Sequence, residues 1–91
     1  MSRVRPRARA DVHAVELDGE LVIWDATTGE LHHLNRTASA VLSLCDGTAT
    51  ICAIVDELAH AFGEAPERID TDVRRLIRRL RRARLLEPSG R

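Results

Sequence analysis

Four histidines, two cysteines and a run of arginines are the residues of this chain whose side chains could do chemistry. His32 and His33 stand together in Gly29–Val41, "GELHHLNRTASAV". Neighbours on a strand point to opposite faces, so the two imidazoles cannot chelate one metal ion without distortion. His13 and His60 have no ligands around them at zinc-type spacing, and Cys45 and Cys52 form neither a CxxC pair nor a disulfide framework. Both cysteines sit among apolar neighbours and read as inert, packed thiols. The chain has no GxSxG elbow, no phosphate-cradling glycine loop and no acid pair with evident mutual placement. A domain of 91 residues also has little surface from which to build a closed pocket. The expectation is a protein that is not an enzyme and holds no metal or cofactor.

The charge is more informative than the histidines. It sums to zero but is lopsided, with no lysine at all. Residues 1–10 carry four arginines and no acid, residues 11–70 carry a net −10, and residues 71–91 a net +6. No run of ~20 apolar residues is present to span a membrane, and the basic N-terminus lacks the apolar stretch of a secretory signal. A cytoplasmic location is the simplest expectation.

The elements that position these residues follow from periodicity. Residues 1–10 read as a disordered basic arm, because like charges and a proline come without an apolar period. "VHAVEL", "LVIWD" and "LHHLN" then read as three short strands. Asp18-Gly19 between the first two is a type I′ hairpin signal, and Thr27-Thr28-Gly29 is a looser second turn. After Asn35 the period lengthens to 3.6. Asn35 caps a first helix with Ala38, Val41, Leu42 and Cys45 on one stripe, ended by Asp46-Gly47. Thr48 or Thr50 caps a second, carrying Ile51, Ile54, Val55, Leu58 and Phe62. Pro66 opens a third, in which Ile69, Val73, Leu76, Ile77 and Leu80 face the core while Arg74, Arg75, Arg78, Arg81 and Arg82 face away. The expected architecture is α+β, a three-stranded antiparallel sheet followed by three helices (βββααα), spanning residues 11–88 with a tail at 89–91.

Three readings of this arrangement compete. The arginine face is a solvated helix surface, or it binds nucleic acid as the third helix of a winged helix, or it borders a peptide groove. The acidic body and the lack of Asn or Gln at base-reading positions weigh against nucleic acid. The third strand, last in the meander, is an edge whose backbone is free to accept an extended peptide.

The order of motifs sharpens the choice. Gly29 before a strand, Leu34-Asn35, Thr37-Ala38, the Asp46-Gly47-Thr48 break, the helix from Ile54 to Phe62, Asp72-Val73 and Leu85-Leu86 together resemble the PqqD family, over about residues 12–87. These are recognition elements for ribosomally made, post-translationally modified peptides. The resemblance implies a winged-helix-like fold and binding of a precursor's leader segment as an added strand beside the third strand and against the third helix. It implies delivery of that leader to a modifying enzyme such as a radical SAM protein, a peptidase or a cyclase. Carried onto this chain, Glu30, Leu31, His32, His33 and Leu34 form the strand platform. Asp72, Arg75, Leu76 and Arg79 line the helix side, with Val73, Ile77 and Leu80 as the other flank. Two positions depart from the family pattern: Arg36 stands where many relatives have proline, and Arg84 where many have glycine.

Overall fold

The computed structural model describes residues 4–88. Strands β1 (His13–Leu17), β2 (Glu20–Asp25) and β3 (Glu30–Leu34) precede helices α1 (Arg36–Ser43), α2 (Ile51–Phe62) and α3 (Pro66–Arg82). The sheet is antiparallel in the order β1-β2-β3, so the expected α+β, βββααα architecture is what the chain adopts.

Local chemistry accounts for most of the boundaries. Asp18 and Gly19 both have positive φ, 54° and 82°, as a type I′ turn demands. The Asn35 side chain accepts from the Ala38 amide at 2.9 Å and starts α1. Thr50 does the same for Ala53 at 3.1 Å and starts α2; such a cap contributes about 1 kcal/mol. α3 has no side-chain cap, and Pro66 at its first turn removes one of the donors a cap would have to satisfy.

The core lies between one face of the sheet and the helices. Ile23 and Leu34 project from the sheet onto Val41, Ile54, Val73, Ile77 and Leu80, all of them buried. α1 packs against β2, β3 and α3, whereas α3 rests on α1 and α2 and makes no direct backbone contact with the sheet. β1 is exposed along its whole length, so the hairpin it forms with β2 overhangs the core. No helix among the described residues is long and apolar enough to cross a membrane.

Several residues are placed differently from the sequence expectation. Residues 6–9, read above as part of a disordered arm, are docked. Ala8 N donates to Cys45 O and Arg9 N to Leu85 O, while Pro6 O and Arg7 O accept from Gly47 N and Glu87 N. The segment thus joins the end of α1 to the end of α3, and one of its arginines is internal. The Arg9 guanidinium reaches Asp25 Oδ2 at 3.1 Å, Arg84 O at 2.9 Å and both oxygens of Asp11. Asp25 is fully buried. Burial would raise its pKa, but the Thr27 amide and the Arg9 charge outweigh it and hold the carboxyl below its ordinary range. Residues 1–3 of the arm and the tail at 89–91 lie outside the described residues. The two cysteines also part company. Cys45 is buried and its thiol bonds Val41 O, whereas Cys52 lies on the exposed side of α2. Phe62, at the last turn of α2, is half-exposed rather than in the core.

Candidate functional site

The register of the sheet decides what its third strand can offer. A two-residue type I′ loop makes Leu17 and Glu20 a hydrogen-bonded pair, and such pairs alternate along a strand. Glu20, Val22 and Trp24 therefore turn their backbone groups toward β1, and Leu21, Ile23 and Asp25 turn theirs toward β3. Their partners on β3 are Leu34, His32 and Glu30. The N–H and C=O groups of Leu31 and His33 are left pointing out of the open edge. That edge carries no proline, lysine or bulge to block a further strand.

The side chains follow the complementary rule. On the core face, His32 is largely buried, with Nε2 shielded from water and 3.4 Å from Glu30 Oε1 without a hydrogen bond between them. His33 stands on the outer face and meets Glu20 Oε1 at 2.8 Å. The two imidazoles are on opposite faces. Among the described residues no three histidine, cysteine, aspartate or glutamate side chains gather into a metal-binding group. Leu31, also on the outer face, is 68% exposed beside Trp24, whose ring stacks on His13 at 5.5 Å. The row His13–Trp24–Leu31 thus crosses all three strands and ends at the open edge, a feature that strand-by-strand reading of the sequence does not reveal.

α3 presents two flanks, and an ion pair identifies them. Arg74 pairs with Asp70 at 2.9 Å and extends toward Cys52 of α2, so this flank faces α2. At about 100° per residue, Asp72, Leu76 and Arg79 fall on the other flank, turned away from α2. Asp72, Arg75 and Arg79 are exposed and Leu76 is half-buried. Val73, Ile77 and Leu80, the other flank considered in the sequence, are each about 1% exposed and are committed to the core. α1 packs against both β3 and α3, whose backbones do not approach each other closely; Leu34 of β3 and Val73, Ile77 and Leu80 of α3 share the core beneath them.

Comparison with known proteins adds the family. The model for PqqD, coenzyme PQQ synthesis protein D, matches residues 20–86. The chain belongs to the PqqD family. The match begins at β2 and ends at Leu86, so it includes the open strand and the whole of α3. No curated protein sequence matches this PqqD-family chain. Among solved structures, TbiB1 in complex with the TbiA(beta) leader peptide superposes with a TM-score of 0.80 at 24% identity, covering 93% of this chain and 99% of that one. A lasso peptide synthetase B1 complexed with its leader peptide gives 0.79 at 19% identity, covering 92% and 99%. The PqqD truncation of Methylobacterium extorquens PqqCD, solved by NMR as a functional stand-alone recognition element for ribosomally synthesised and modified peptides, gives 0.72 at 26% identity. It covers 90% of this chain and 87% of that one.

Proposed function

We propose that this chain binds the leader segment of a ribosomally made precursor peptide as a fourth strand on the open edge of β3. Leu31 and His33 supply the backbone donors and acceptors, and Glu30, His32 and Leu34 complete the platform. Asp72, Arg75, Leu76 and Arg79 border the leader from the helix side. The observation that carries this reading is the open edge itself: two N–H and two C=O groups, aligned and unblocked, on the strand last in the sheet. The likeness to two leader-bound B1 proteins over nearly their whole length supports it.

The chain performs no bond-making step in this reading. It holds the leader in the cytoplasm while a separate enzyme, such as a radical SAM protein, a peptidase or a cyclase, modifies the core of the same precursor. Strand addition suits this role because backbone pairing holds the leader while alternate side chains choose it. The test is a fluorescence titration with the leader of the precursor encoded beside this chain. Saturable binding at micromolar concentration or tighter supports the reading. Absence of leader binding combined with tight, salt-sensitive DNA binding overturns it in favour of a nucleic-acid protein.

A further inference from the structure

The C-terminal end of α3 carries positive charge that the chain itself does not answer. Arg78, Arg79, Arg81, Arg82 and Arg84 lie within seven residues, and none forms an ion pair among the described residues. Their distribution is uneven. Arg81 is about 200° around the helix from Arg79, so it faces away from the flank assigned to the leader. With Arg84 it lines a cleft of about 580 Å³, whose other walls are Arg9, Leu86, Glu87 and Pro88.

Within this cleft only two guanidinium groups are free. Arg9 is engaged by Asp11, Asp25 and the Arg84 carbonyl, and Glu87 faces Arg7 at 3.7 Å. Arg81 and Arg84 are exposed and uncommitted, in a cleft whose apolar walls are exposed Pro88 and the little that buried Leu86 leaves open.

The backbone of Arg84 is a second, independent observation. α3 ends in a Schellman motif: Leu85 N donates to Leu80 O at 2.9 Å, and Arg84 N to Arg81 O at 2.9 Å. That motif puts Arg84 at φ 60°, in the left-handed region where glycine is free and a side chain is disfavoured. The chain thus holds an arginine where its conformation works against one, and that residue lines the cleft. Strain kept at a surface position points to a use for the side chain.

We propose that this cleft is a second recognition site, which takes a carboxylate-bearing, partly apolar segment of a partner protein. Two free guanidiniums match one or two carboxylates, and exposed Pro88 matches an adjoining apolar side chain. A polyphosphate fits less well, because its denser charge is repelled more strongly than one or two carboxylates by Glu87 in the cleft and by the net −10 of residues 11–70. Since Arg81 and Arg79 lie on opposite flanks, a leader on β3 and a partner at this cleft can be bound together. The site itself does not depend on the leader reading.

The test uses three fluorescein-labelled probes and the full chain: a capped twelve-residue peptide of mixed Glu and Leu, the same peptide with Gln for Glu, and a twelve-nucleotide single-stranded DNA. The expected result is binding of the Glu peptide, weakened at least threefold by raising salt from 0.15 to 0.5 M, with amide shifts at residues 84–87 and none at 31–33. Arg84→Gly is expected to raise the melting temperature by relieving the left-handed strain, yet to weaken the Glu peptide at least threefold. Arg81→Gln combined with it weakens binding about tenfold. The proposal is overturned if Arg84→Gly leaves peptide affinity unchanged, if the Gln peptide or the DNA binds as well as the Glu peptide, or if no probe binds. Leu31→Pro, which alters the β3 edge, is expected to leave Glu-peptide binding intact, so this site and the leader reading fail separately.

Discussion

Replacing Leu31 and His32 in turn by proline distinguishes a free edge from a paired one with neighbouring residues. The register places the Leu31 N–H on the open edge and the His32 N–H in the ladder opposite Ile23. Proline at Leu31 therefore removes one donor from the proposed leader interface and none from the fold, since edge strands accept proline when its missing N–H faces solvent. One backbone hydrogen bond contributes about 0.5–1.5 kcal/mol net, so leader affinity should fall by about 2- to 12-fold. Leu31→Ala is the control that separates loss of the donor from loss of the side chain. Proline at His32 instead leaves the carbonyl of buried Ile23 without its partner. That costs about 1–3 kcal/mol, which lowers the melting temperature by about 5–20 °C in a domain of this size. Trp24, the only tryptophan, sits one strand from the edge and reports both events by its intrinsic fluorescence. The reasoning is refuted if Leu31→Pro binds leader as tightly as Leu31→Ala, or if it destabilises the fold as much as His32→Pro.

Other outcomes follow from the same structure. Arg9→Ala should lower thermal stability by several degrees, because it strands the buried Asp25 carboxylate; a melt unchanged within error would return the segment to the solvent. Asp25 has a depressed folded pKa, so its contribution is present above the unfolded value of about 4 and is lost as pH falls through the folded one. The stability gap between the protein and Asp25→Asn, measured by melts at pH 7 and pH 3, should therefore close on acidification. The Cys45 thiol is pushed up to about 11 by burial and the nearby Asp46 carboxylate, so a thiol reagent at pH 8 should label Cys52 at once and Cys45 only on unfolding. Arg75→Glu with Arg79→Glu should weaken an acidic leader several-fold without changing the melt, and unchanged affinity would make that arginine face a solvated surface.

Features encoded by near neighbours were legible in the sequence. The Asp18-Gly19 turn, the Asn35 and Thr50 caps and the Ile69–Leu80 stripe each depend on residues within a turn or two, and the structure places them as read except Leu76, which is half-buried at the edge of the stripe. The docked N-terminal segment was not legible. Its partners, Cys45 to Gly47 and Leu85 to Glu87, lie some 40 and 80 residues along the chain. A run of arginines does not reveal that one of them meets a buried aspartate. The exposure of Cys52 and Phe62 was hidden for a related reason. Both belong to apolar-looking stretches, but α2 has core on one side only, and the buried stripe is Ile51, Ile54, Val55, Leu58 and Ala59. Of the candidate site, the third strand could be picked out because it ends the meander. Which exposed flank of α3 turns away from α2 could not, since the two flanks differ by a rotation that only the packing against α2 fixes.

Amide hydrogen exchange with and without the leader tests strand addition most directly. On saturation with leader, strand addition gives strong new protection at Leu31 and His33 and little change at Glu30 and Leu34, whose amides turn inward. Protection confined to α3, or spread equally over all five residues of β3, would contradict it.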